Sequence, residues 1–172
     1  QFNATIYKAE EINTHGGSIG IYIKKGKKTK IDKSVNQLIK EENNYGIKDF
    51  KTYQKFGEKV YNIRNNVIKN LNKLKKQGKK IIGYGSPAKA TTALNFFGTT
   101  NQIDFIVEDN ELKHNKFIPG VKIPIYSKNK VKDKNNITLV LAWNFFEEIK
   151  KNNQSLSNKF INIKTLEDNM ID

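Results

Sequence analysis

The stretch Gly83-Tyr84-Gly85-Ser86-Pro87-Ala88-Lys89 carries the densest potential chemistry in the chain. Gly83, Gly85 and Ala88 stand at a G-x-G-x-x-A spacing, which lets a strand turn sharply into a helix and brings backbone N–H groups close to an anion. Ser86 adds a hydroxyl and Lys89 a cation, so the turn could hold a phosphate or a carboxylate. The same small residues also suit plain close packing of a strand on a helix, and spacing alone does not separate the two. Glu108 ends a later apolar run, at about the distance where dinucleotide-binding domains place the acid that accepts from a ribose hydroxyl. Asp109 and Asn110 follow; successive side chains on extended backbone point apart, so hydrogen bonding or capping suits them better than paired acid–base work. Trp143-Asn144 closes the most apolar segment, where an indole can wall a pocket and Asn144 can bond a ligand or cap the next helix. His15-Gly16-Gly17-Ser18 sets a histidine beside a flexible turn, as a base, a phosphate contact or a hydrogen-bonded turn. His114, among lysines and asparagine, reads as exposed.

The elements that must position these residues follow from periodicity. Ser18 to Lys24 alternates like a strand, and Ser34 to Asn43 reads as a helix. Phe50, Tyr53, Phe56, Val60, Ile63, Val67, Leu71 and Leu74 form one stripe of a long helix, read as core packing, with Asp49 as its cap and Gly78 past its end. From Lys80 the pattern changes to strands alternating with helices: Ile81-Ile82, Pro87 to Phe97, Ile103 to Val107, Val121 to Tyr126, Ile137 to Ala142, Phe145 to Asn152 and Lys159 to Ile163. Pro124 marks its strand as an edge, and the wholly apolar Ile137–Ala142 suits a central parallel strand. The expected fold is α/β, a Rossmann-like doubly wound, mostly parallel sheet with helices on both faces, preceded by a strand and a long amphipathic helix. The expected division is residues 1–48 as an N-terminal strand and helix extension and 49–172 as the Rossmann-like domain.

Composition sets the outer limits. The 172 residues can bury one core, and 37% hydrophobic content with ten Phe argues against disorder. There is no cysteine, hence no disulfide or thiolate chemistry, and no metal site is expected. No apolar run reaches the length of a membrane span and no signal peptide is visible, so a cytoplasmic protein with no membrane partner is expected. The net charge of +14 would suit nucleic acid, but the lysines spread over nearly every polar face rather than forming one stripe, so no nucleic-acid partner is expected. Starting at Gln1 rather than Met, the chain reads as an excised domain.

Taken in order, Thr14-His15-Gly16-Gly17-Ser18, Gly83 to Lys89, Ile103-Asp104-Phe105, Lys113 with Pro119-Gly120, Ile123-Pro124-Ile125, and Ala142-Trp143-Asn144-Phe145 with Glu148-Ile149 resemble the C-terminal domain of S-adenosylmethionine-dependent sugar C-methyltransferases. The resemblance runs from about Thr14 to the end. It implies the acceptor-side half of an enzyme acting on a nucleotide-linked keto-deoxysugar such as a dTDP sugar. It also implies that the zinc-binding region, the methyl-donor domain and a Tyr-His-Glu-His motif lie upstream, with residues 1–48 as the extension linking to that methyl-donor domain. S-adenosylmethionine would then bind mainly in that upstream domain of the same polypeptide, and the nucleotide sugar would be the ligand here. His15, Gly16, Gly17, Ser18, Gly83, Tyr84, Gly85, Ser86, Pro87, Lys89, Glu108, Trp143 and Asn144 would bind and orient it, with no catalytic residue in this stretch. The family usually has Ala at 86, Gly at 90 and Arg at 20, and Asp-Arg-Asn where Glu108-Asp109-Asn110 stands. The rival reading is an NAD-binding oxidoreductase domain, which the glycine spacing and Glu108 suit and the missing N–H of Pro87 does not.

Overall fold

The computed structural model describes residues 2–14, 16–26 and 29–167. They fall into two compact units, Gln1–Lys59 and Val60–Asp172.

In the first unit β1 (Ala4–Ile12) pairs antiparallel with β2 (Ser18–Lys25). The sequence pattern does not foretell β1. A register shift between Ile6 and Lys8 puts an extra residue in the strand, and that bulge breaks the alternation that marks a strand. Helix α1 (Lys33–Tyr45) starts on Asp32, whose carboxylate accepts from the Ser34 amide at 2.8 Å, and stops at Gly46 in the left-handed region, φ 83°. Helix α2 (Phe50–Lys76) begins here, with Asp49 accepting from the Lys51 amide at 3.0 Å. Its stripe behaves differently at its two ends. Val67, Leu71 and Leu74 are buried, while Phe50, Tyr53 and Phe56 are exposed, so the core-packing expectation fails for the first turns.

The second unit holds a five-stranded, wholly parallel sheet in the order β5-β4-β3-β6-β7. Its strands are β3 (Lys80–Tyr84), β4 (Phe105–Val107), β5 (Ile125–Tyr126), β6 (Asn136–Val140) and β7 (Lys159–Asn162). In the sheet's own chain order this is 3-2-1-4-5, the half-barrel-free open arrangement of a Rossmann-like domain. Alternation on β3 feeds two cores. Ile81 joins Val67, Leu71 and Leu74 of α2 and Ala90 and Leu94 of α3 (Ala88–Phe97). Ile82 and Tyr84 join Phe105, Val107 and Leu156 on the other face, with Ile149 of α4 (Phe146–Asn152) packed against them. The doubly wound expectation is met. The strand expected over Val121–Tyr126 is only Ile125–Tyr126, because Lys122 takes φ 56° and Pro124 makes a lone antiparallel bridge to Phe117. It is nonetheless the edge strand that Pro124 implied.

Candidate functional site

The chain reverses direction across the sheet on either side of β3, first to β4 and then to β6. Ligand crevices of open α/β sheets lie beyond the carboxyl ends of strands at such a point. A crevice of about 450 Å³ lies there, with Tyr84, Gly85, Ser86, Pro87 and Glu108 on one wall and Ala142, Phe145 and Asn153 on another.

Gly83 and Gly85 are glycine for different reasons. A Cβ on Gly83 would come 2.8 Å from Ile106 Cγ1 and 3.0 Å from Leu141 Cδ1, so β3 needs it bare to sit between its neighbours. Gly85 has φ +85°, and its Cβ would lie 2.9 Å from that of Ala142. The turn does hold a carboxylate, and it is the protein's own. The Ser86 amide donates to Glu108 Oε2 at 2.8 Å, and the Ser86 hydroxyl donates to the same oxygen. Glu108 Oε1 accepts from the amides of Asp109 (3.0 Å) and Asn110 (3.1 Å). Lys113 Nζ donates to the Ser86 carbonyl at 3.0 Å and stands 3.5 Å from Glu108 Oε2. Burial pushes the Glu108 carboxyl up, but the Ser86 hydroxyl, the amides of Asn110 and Ser86 and the Lys113 ammonium outweigh it and hold it below the ordinary carboxylate value.

Beside this cluster, the Tyr84 hydroxyl donates to Asp109 Oδ2 at 2.7 Å, with Asn153 Oδ1 at 3.3 Å, and Lys128 Nζ meets Asp109 Oδ1 at 2.8 Å. Burial and the Asp109 hydrogen bond raise the Tyr84 phenol. Burial alone would raise Asp109, yet Lys128 and Tyr84 bring it below its usual value. Each cation at the crevice therefore has a carboxylate partner, and with Glu148 also on the lining the site holds three carboxylates to two ammonium groups.

The Gly85 amide donates to the Val107 carbonyl at 2.8 Å, the Ser86 amide is taken by Glu108, and Pro87 has none. No backbone donor at 85–87 is left for a pyrophosphate, and both Glu108 oxygens are already bonded, which leaves little for a ribose diol. The candidate residues also do not all converge. Tyr84, Gly85, Ser86, Pro87 and Glu108 line the crevice, whereas Gly83 lies beneath in the strand. Lys89 turns away, with Nζ 4.3 Å above the Trp143 ring, and Trp143 packs on the core instead of the crevice. Asn144 is exposed inside a 3-10 turn (Trp143–Phe145), and α4 starts on Phe145 without a side-chain cap, so the capping role is not seen. Gly16, Gly17 and Ser18 belong to the first unit, in the β1–β2 connection where Ser18 Oγ bonds the Thr14 carbonyl at 3.2 Å; His15 lies outside the described residues. His114 is half-buried rather than exposed, with Nε2 2.7 Å from the Glu108 carbonyl.

Sequence reading gave Asp109 a hydrogen-bonding role, which the bonds from Tyr84 and Lys128 fill, and quoted Lys113 and Phe145 only within the family motifs; it missed Lys128 and Asn153 altogether. These five residues come from four separate segments.

A doubly wound parallel sheet with a polar crevice at its carboxyl edge defines a Rossmann-like domain. Residues 13–163 match the family described as the C-methyltransferase C-terminal domain. The chain is 30% identical over 140 residues to the C-methyltransferase NovU of Streptomyces niveus, an alignment covering 80% of this chain and 33% of that protein. It belongs to the C-methyltransferase C-terminal domain family, and it spans about a third of the length of the curated relative it matches. No helix among the described residues is long and apolar enough to cross a membrane.

Proposed function

We propose that this domain binds and orients the acceptor of a C-methyltransferase, a nucleotide-linked keto-deoxysugar such as a dTDP sugar. The carrying observation is the closed turn: Glu108 occupies the place where a dinucleotide site would present free amides. What remains for a ligand is the rim, where Lys113 and Lys128 can meet phosphate oxygens, Asp109 can accept from sugar hydroxyls, and the 59% exposed ring of Phe145 can stack on a base.

S-adenosylmethionine supplies an electrophilic methyl group when bound. With the amides of 85–86 engaged, the turn described here does not suit it, so its binding is assigned mainly to another segment of the parent enzyme. There a base would remove the proton alpha to the sugar ketone, and the resulting enolate carbon would take the methyl group as its bond to the sulfonium sulfur breaks, leaving a neutral thioether. On this reading the 172 residues alone, in a cytoplasmic enzyme, bind acceptor without turnover.

Calorimetric titration of the chain tests the assignment. A dTDP-linked 4-keto sugar should bind, Lys128→Ala should weaken it roughly tenfold, equivalent to about 1.4 kcal/mol, and NAD and S-adenosylmethionine should give no heat. Tight NAD binding, or no response to the sugar nucleotide, overturns it.

A further inference from the structure

The first unit has almost no interior. Among its described residues the sole buried apolar side chain is Ala9, and α1 buries none. Four of its isoleucines instead share one exposed face of the β1–β2 ribbon. Ile19, Ile21 and Ile23 alternate along β2 and are 49%, 53% and 63% exposed; Ile6 lies opposite Ile23, on the same face, and is exposed too. A two-stranded ribbon with a bare isoleucine face is not a stable arrangement by itself.

The two edges of the ribbon differ. On the outer edge of β1 the Asp32 amide donates to the Tyr7 carbonyl at 2.7 Å, and Ser34 Oγ accepts from the Ala9 amide at 3.2 Å, so the chain entering α1 covers it. Among the described residues nothing pairs with the outer edge of β2. Exposed edges are ordinarily guarded by a proline, a bulge or a charge. Ser18-Ile-Gly-Ile-Tyr-Ile23 has none of these, and the first charges come at Lys24 and Lys25. The bulge sits on β1, the edge that is already covered.

From this we infer that β2 is an interior strand of a larger sheet. Its open edge pairs with a strand of the same polypeptide from outside these 172 residues, and the face of Ile6, Ile19, Ile21 and Ile23 is covered there. Main-chain pairing supplies the attachment and the isoleucines fix the register, as in strand addition generally. Two observations choose this occupant over a second copy of the chain. The relative's alignment leaves two thirds of its length unmatched, enough for a further sheet. The chain carries a net charge of +14, so two copies brought edge to edge repel. The inference rests on the ribbon alone; its failure would leave the acceptor-site reading intact, and failure of that reading would leave the ribbon's assignment standing.

Hydrogen exchange read by mass spectrometry on the peptide covering residues 18–25 decides the matter, comparing the full-length parent polypeptide with the 172-residue chain. Exchange in the parent should be slower by at least about tenfold, reflecting protection of amides that open freely in the shorter chain. The variant Ile23→Lys, at a position already open to water in the shorter chain, should leave that chain's melting temperature unchanged and lower the parent's by several degrees. Equal exchange in the two, or a parent indifferent to I23K, overturns the inference. Concentration-dependent protection in the 172-residue chain with a dimer mass also overturns it, by making a second copy the occupant.

Discussion

At the scale of single residues, Glu108 organises the site. Its carboxylate gathers two donors from Ser86, two amides beyond itself and a nearby Lys113, and these hold it ionised despite burial. Because its folded pKa lies below the ordinary 4.5, it favours the folded state at pH above that value. The contribution disappears as pH falls through the folded pKa. Ser86→Ala removes the hydroxyl donor and keeps the amide. It should raise the Glu108 pKa, move the onset of acid destabilisation to higher pH, and cost about 1–2 kcal/mol at neutral pH. An NMR titration of the Glu108 carboxyl alongside urea melts checks this, and an unmoved pKa would show that the amides alone hold the charge. The residue types at this site were legible in the sequence, since a glycine turn with Ser86 and a strand-end acid do announce an anion-holding device. The sequence could not say that the anion would be Glu108 itself, because the side chains are brought face to face by β3 and β4 pairing across 22 residues.

At the scale of elements, the β3–turn–α3 segment is built around Gly85, and its conformation and its crowding can be separated. Gly98, which ends α3, also has positive φ, 70°, but a Cβ there would meet open space. Gly98→Ala should therefore cost about 1 kcal/mol, the left-handed penalty alone. Gly85→Ala adds a contact at 2.9 Å to Ala142 and should cost about 2–4 kcal/mol. Equal losses in denaturant melts would mean that the approach to Ala142 relaxes freely. Elements whose pattern is pure were readable: the apolar runs of β3 and β6, and the helices stopped by Gly78 and Gly98. Those with a local break were not. The bulge near Tyr7 hid β1, positive φ at Lys122 shortened β5, and Trp143 turned to the core although its strand-end position suggested the crevice. Lys128, Phe145 and Asn153 reach the site from connections with no periodic signal, so only the folded chain assembles them.

At the scale of the whole molecule, the apolar residues are distributed unequally between the two units, and opening free energies should follow. Buried apolar contact is what sets local resistance to opening, and it is nearly all in Val60–Asp172. Limited proteolysis of the 172-residue chain should cut first before residue 60 and leave a resistant fragment carrying the parallel sheet; a first cut within β3 to β7 would contradict this. The seated Glu108 also bears on which anions the turn can take. An open glycine loop offers its amides to polyphosphates of any kind. A loop that already carries its own carboxylate meets those molecules with like charge in place of waiting donors. An anionic ligand would then have to be gripped by side chains at the rim, where Lys113 and Lys128 stand, and not by the turn itself.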